Sequence, residues 1–178
     1  MRFLIRLAII GMWAFGGLSV VSADSADVRL TEKEAYILLD NLLGLSAVGN
    51  DKSADLQRYK RWADLHDKLM EQNQLNLAQM KVYLLIVFIA EEKTKVHSME
   101  EIAEEIIPLF KRQPTVMLQA MKELPFLLPR ACSQFSAHFE LFGSGRDKQQ
   151  FLTSYEKMIT DKLGKEHATV CLTQIRAS

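Results

Sequence analysis

Apolar side chains recur every three or four residues along most of the chain after residue 30, a spacing typical of amphipathic helices. Segments with this pattern begin near Thr31, Asp55, Leu75, Ser98, Pro114, Pro129, Asp147 and Glu166. No Asn-Gly or Asp-Gly turn lies between two alternating segments, as a β-hairpin would require. The pattern therefore predicts an all-α protein with seven to eight antiparallel helices, arranged as an irregular bundle or a short array.

Local signals place the helix ends. A capping box joins a polar residue at the helix start to Glu or Gln three positions later. Three such pairs occur, namely Thr31 with Glu34, Ser98 with Glu101, and Asp147 with Gln150. Pro114 and Pro129 fit the first turns of two further helices, where a missing N–H has no cost. Pro108 lies inside a helical pattern, so we expect it to kink that helix or end it early.

The run from Val82 to Ala90 is apolar at every position. A helix that is apolar all round is buried by neighbours on several sides. A buried strand is the competing interpretation, because β-branched and aromatic residues are dense here. The apolar pattern extends back to Leu75, which favours a helix. We expect this helix to be the centre of the core.

The first 23 residues have the layout of a secretory signal peptide. Arg2 and Arg6 precede an apolar stretch over 7–21, and small residues lead to Ala23. The rival interpretation, a membrane anchor, requires a longer apolar run. We therefore expect cleavage after Ala23, a single all-helical domain over 24–178 with no stable membrane span, and a periplasmic or otherwise secreted location.

Composition and charge exclude several classes of protein. The 178 residues include 22 basic and 22 acidic side chains, and 48% are hydrophobic. A chain without excess positive charge is poorly suited to binding a nucleic-acid backbone, and this hydrophobic content is not typical of disorder. The numbers indicate a globular protein, and they leave its oligomeric state open.

Cys132 and Cys171 are the chain's two cysteines. Disulfides persist in the oxidising compartments that an export signal implies, so we predict that these two residues form one intramolecular disulfide. A free thiol nucleophile and an intermolecular bridge are the alternatives. A catalytic pair of Cys132 with His138 would require the free thiol.

No catalytic, cofactor or metal motif stands out, so we predict no enzyme activity and no cofactor. The histidines are His66, His97, His138 and His167, and none belongs to a His-Glu-x-x-His motif. We expect His66 to be a surface residue. An acidic group near one helix start, made up of Glu100, Glu101, Glu104 and Glu105, is interpreted as a solvated face that interacts with the helix dipole. Residues 143–146 fit a simple turn better than an anion-binding loop.

Four phenylalanines cluster in sequence near Cys132, namely Phe126, Phe135, Phe139 and Phe142. The last three recur at helical spacing and form one stripe. Packing in the core explains this stripe most simply. The functional alternative is an apolar groove for a partner helix or a small lipid-like ligand.

These observations favour a protein-binding module, such as an adaptor or an inhibitor of the immunity type, whose partner is another protein. A carrier of a small apolar ligand, held in a cavity between helices, is the alternative hypothesis. An enzyme of unfamiliar type is the third, and it would need polar side chains that converge in one cleft. The sequence identifies neither the partner nor the ligand.

Overall fold

The computed structural model describes residues 31–43, 52–90 and 99–177. Within these ranges there are eight α-helices and no strands, which confirms the all-α class. The helices are α1 (Glu32–Leu43), α2 (Lys52–Met70), α3 (Leu77–Leu85), α4 (Met99–Arg112), α5 (Pro114–Glu123), α6 (Leu128–Leu141), α7 (Gly145–Leu163) and α8 (Lys165–Arg176). A π-helical segment (Ile86–Ala90) continues α3, and a 3₁₀ turn (Pro125–Leu127) precedes α6.

The helix starts follow local capping, with one correction. The Thr31 box is confirmed, because Thr31 N donates to Glu34 Oε2 at 2.8 Å and Glu34 N donates to Thr31 Oγ1 at 3.3 Å. The box at Ser98 lies outside the described residues. The prediction that Asp147 caps α7 was wrong. Ser144 is the cap, with its Oγ accepting from Asp147 N at 3.3 Å, so the helix begins earlier and includes Gly145.

Pro108 does not end α4, so of the two predicted effects, a kink or an early end, the early end was wrong. The helix continues through this residue to Arg112. Pro108 itself is exposed, whereas Leu109 and Phe110, which follow it, are buried in the core. The burial of these two side chains stabilises the last turn by more than the loss of one backbone hydrogen bond at Pro108 destabilises it. Pro114 and Pro129 lie in the first turns of α5 and α6, as predicted.

The core is centred on α6, which packs closely against α4 on one side and α8 on another. The expectation that the helix with the apolar run Val82–Ala90 is the centre of the core was therefore wrong, although that run is part of the core. Phe135 of α6 contacts Phe110 of α4 and Phe151 of α7, with ring centroids 5.1 Å and 5.9 Å apart. Cys132 and Cys171 link α6 to α8 at disulfide-bonding distance, with Sγ atoms 2.04 Å and Cα atoms 5.1 Å apart. The predicted pairing is therefore confirmed, and it joins two helices that already pack on each other.

The described side chains of the apolar run after Lys81 are buried, apart from the partly buried Val82, but the run is not one regular helix. Residues 83–88 are all buried, and the α-helical pattern changes to π-helical at Ile86. Two side chains bond to carbonyl groups of the π-helical segment. Trp62 Nε1 donates to the oxygen of Ile86 at 2.8 Å, and Arg130 donates to that of Phe88 at 2.9 Å.

The first two helices lie beside this buried segment. Helix α1 contacts α2 and α3, and α2 contacts α3 and the π-helical segment, but this packing is sparser than that between α6 and its neighbours. No helix in the described ranges is long and apolar enough to cross a membrane. The predicted signal peptide lies outside the described residues and stays a prediction.

Candidate functional site

An apolar pocket opens between α1, α3 and α5. Its volume is about 240 Å³. The lining residues are Leu38, Ala78, Lys81, Val82, Leu85, Glu123 and Leu124. Most of this wall is aliphatic because α3 presents its apolar side here, next to the C-terminal turn of α5. The side chain of Leu38 completes the wall from α1 and stays 43% exposed, so the pocket communicates with solvent.

An ion pair marks the polar edge of the pocket. Lys81 Nζ donates to Glu123 Oε2 at 2.6 Å, and the two side chains are 33% and 16% exposed. Gln119 Nε2 donates to the other carboxylate oxygen at 2.8 Å. The hydrogen bond from Lys81 is the main cause that lowers the pKa of Glu123, although partial burial opposes it. The carboxylate of Glu123 is therefore charged near neutral pH, and it forms an ion pair with Lys81 at the edge of an otherwise apolar surface.

Three further large hydrophobic side chains of α1 and α2 are exposed. Ile37 is 52% exposed and lies next to Leu38 in the sequence. On α2, Leu56 and Tyr59 are also large and exposed. Scattered exposed apolar residues are normal on soluble proteins, so these three do not by themselves indicate a contact surface.

A second feature is a polar cluster within the core, consisting of Trp62, His66, Tyr83 and Glu105. His66 Nε2 lies 3.0 Å from Glu105 Oε1, and the Tyr83 hydroxyl donates to the same oxygen at 2.7 Å. The indole of Trp62 stacks on the imidazole of His66, with centroids 5.3 Å apart and planes 5° from parallel. This cluster connects α2, α3 and α4 through two hydrogen bonds to Glu105.

Burial and charge perturb two groups of the polar cluster. Burial lowers the pKa of His66, but the hydrogen bond and the negative charge of Glu105 outweigh it, with a smaller contribution from Asp67, so the pKa is raised above its ordinary value of 6.5. Burial, followed by the charge of Glu105, raises the pKa of Tyr83 well above its usual value. Protonation of His66, a residue type that titrates near neutral pH, therefore changes the charge of this cluster.

Two expectations from the sequence were wrong here. His66 was expected on the surface, but it is only 7% exposed, because its helix face packs on α3 and α4. Glu105 was expected on a solvated face, but it is partly buried beside His66, whereas Glu100, Glu101 and Glu104 are exposed. The spacing of Trp62 and His66, one helical turn apart, was the available signal, since it places the imidazole beside a large apolar side chain.

The four phenylalanines do not share one open surface. Phe135 and Phe139 are buried, Phe126 is partly buried, and Phe142 is 48% exposed. Phe139 contacts Phe151 with centroids 5.3 Å apart, as part of the packed core. A groove formed by all four would require the core to open, and it stays a prediction.

The remaining candidate residues from the sequence are Cys132, His138 and His97. Cys132 is paired with Cys171, so its thiol is not available to His138. His138 Nδ1 instead lies 2.6 Å from the backbone oxygen of Ala103, which ties α6 to α4. His97 is outside the described residues.

Among the described residues, no group of three or more His, Cys, Asp or Glu side chains is arranged to hold a metal ion. The chain was also compared with known proteins. No protein-family model, no curated protein and no solved structure matches it.

Proposed function

We propose that the protein is a helical binding module whose apolar pocket accepts an aliphatic side chain from a protein partner. The observation that carries this proposal is the pocket between α1, α3 and α5, with exposed Leu38 at its mouth. Helical proteins commonly bind partner helices through such apolar surfaces, which accept a few anchoring side chains. Burial of one anchoring aliphatic side chain contributes about 1.5–3 kcal/mol.

The volume of the pocket favours a side chain over a small-molecule cargo. Pockets for drug-sized ligands have volumes of roughly 300–1,000 Å³ and enclose most of the ligand. The pocket here, at about 240 Å³, is below that range and open on one side. A lipid-like ligand would leave much of its surface in water, whereas a partner protein covers the mouth as well as the interior. A carrier of a small apolar ligand is therefore the second candidate for the same pocket.

The neutral edge of the pocket indicates the chemistry of the partner. Because Lys81 and Glu123 already pair with each other, neither offers an unbalanced charge to a ligand. We infer that the partner presents an uncharged aliphatic anchor, flanked by polar groups that reach the ion pair from outside. An adaptor and an immunity-type inhibitor both fit this description.

We also propose that the module acts outside the cytoplasm, in the periplasm or after secretion. The arrangement of residues 1–23 supports this location. The pairing of Cys132 with Cys171 is compatible with it, because disulfides persist in oxidising compartments.

The test is a comparison of two matched substitutions in tagged protein. Leu38→Glu places a charge at the mouth of the pocket, and Leu141→Glu places one on a similarly exposed leucine at the end of α6. Because both side chains are about half exposed, both variants should fold, which circular dichroism checks. Proteins captured from an extract of the native organism, after mild cross-linking, are quantified by mass spectrometry.

If the proposal is right, one protein is enriched in the captures with the unmodified chain and with Leu141→Glu, and the same protein is not enriched with Leu38→Glu. Its purified form should then bind in calorimetry with an affinity that Leu38→Glu lowers at least tenfold, equivalent to about 1.4 kcal/mol. A partner that binds all three proteins equally would overturn the assignment of the pocket. A small apolar molecule that native mass spectrometry finds in the unmodified chain, but not in Leu38→Glu, would replace the proposal with the carrier.

A further inference from the structure

The polar cluster holds the sparsely packed N-terminal helices against the rest of the protein. Helix α2 contributes Trp62 and His66, α3 contributes Tyr83, and α4 contributes Glu105. One carboxylate oxygen receives both the Tyr83 hydroxyl at 2.7 Å and the His66 nitrogen at 3.0 Å. These two hydrogen bonds share a single, partly buried carboxylate, and the hydrogen bond from Trp62 Nε1 to the oxygen of Ile86 is a third polar link between α2 and the rest of the protein.

The charges around the imidazole determine how this attachment depends on pH. Glu105 of α4 is the nearest opposite charge, and Asp67 of α2 lies 3.6 Å from His66 Nδ1 but is 74% exposed and therefore screened. From α3, the titratable group that faces His66 is Tyr83, on which Arg112 of α4 also acts. The described side chains of the π-helical segment, Ile86, Val87 and Phe88, are apolar. Protonated His66 thus forms a charged hydrogen bond with Glu105, and the bond becomes weaker when His66 is neutral.

We propose that protonation of His66 closes α1 and α2 onto α3 and α4, and that it thereby keeps the α1 wall of the apolar pocket in place. The connection runs through the helices themselves. Helix α1 contacts both α2 and α3, and its Leu38 lines the pocket. When α2 loosens, α1 loses one of its two supports. As a regulation of the pocket, this inference rests on the proposed function.

The closure is measurable without a partner, by hydrogen exchange and mass spectrometry on the full chain. Exchange rates are followed from about pH 5.5 to pH 8, on either side of the ordinary histidine pKa, and each rate is divided by the intrinsic rate at the same pH. We expect the protection of α1 and α2 to fall roughly fivefold as the pH rises, because a charged hydrogen bond is about twice as strong as a neutral one. Helix α8, which packs elsewhere, serves as the internal reference for global unfolding.

Two glutamine substitutions separate the role of His66 from a general effect of pH. His66→Gln keeps a side chain that can donate to Glu105 but cannot change its charge, so the fall in protection should disappear. His167→Gln, on α8, changes a partly exposed histidine outside the polar cluster and should keep the fall. The inference is overturned if α1 and α2 show no change with pH, if His66→Gln shows the same change, or if α8 loses protection in parallel.

The outcome is distinguishable from that of the proposed function. A fall in protection that depends on His66, together with a partner that is insensitive to Leu38→Glu, would overturn the pocket assignment and leave the pH-dependent closure standing. A partner that requires Leu38, together with exchange that is independent of pH, would overturn only the closure.

Discussion

The bond between Cys132 and Cys171 should contribute much of the stability of this chain. The two residues are 39 positions apart in sequence, and both are fully buried. Cross-linking a loop of that length removes conformational entropy from the unfolded chain that is equivalent to about 4 kcal/mol. A globular protein of this size has a total free energy of unfolding of only about 5–15 kcal/mol.

The perturbation is the double substitution Cys132→Ala and Cys171→Ala, which removes the bond without placing a polar hydroxyl in the core. Urea denaturation followed by circular dichroism should show a free energy of unfolding about 4 kcal/mol lower than that of the oxidised chain, and a steeper dependence on urea because the unfolded state expands. In the unmodified protein, alkylation without reductant should label no thiol. A loss below about 1 kcal/mol, or two alkylated cysteines before reduction, would refute this reasoning.

Three further predictions concern single residues. Tyr83→Phe should lower the free energy of unfolding by about 1–2 kcal/mol, because the buried carboxylate loses one donor; an unchanged urea midpoint would contradict it. Because the pKa of His66 is raised in the folded state, its protonation should add to the free energy of unfolding. This contribution should be fully present below pH 6.5 and lost as the pH rises through the folded-state pKa. Urea denaturation at several pH values in which His66→Gln keeps the same pH dependence would refute this prediction. Gly164 has a φ of +79°, so Gly164→Ala should lower the free energy of unfolding by about 1 kcal/mol or more. Gly145 lies at the start of α7 with open space around it, so Gly145→Ala is the control and should not lower the melting temperature.

The fold was predictable because its determinants are local or few in number. Helical periodicity does not depend on the tertiary arrangement, and Pro114 and Pro129 act on the turn in which they lie. The disulfide followed from having only two cysteines to pair. The prediction that α4 could end early at Pro108 was wrong for a tertiary reason, because the buried Leu109 and Phe110 keep the last turn helical.

The candidate site was not predictable in the same way, because its members are distant in sequence. The pocket joins Leu38, Val82 and Leu124, each of which has the pattern of an ordinary core residue. Glu105 belongs to a run of acidic residues whose other members are exposed to solvent. It differs from them in its burial because α2 lies over it and places His66 beside its carboxylate. Such contacts depend on how helices cross, which periodicity does not encode.

The proposed function requires that a partner protein occupies the apolar pocket. Site-specific photo-crosslinking can detect this occupancy, with a benzophenone amino acid in place of Leu38 in one protein and of Leu141 in another, both produced in the native organism. We predict that illumination joins the protein with the first substitution to one partner, and that the second gives no such product. Cross-linking of the same partner from both positions, or from position 141 alone, would contradict the claim.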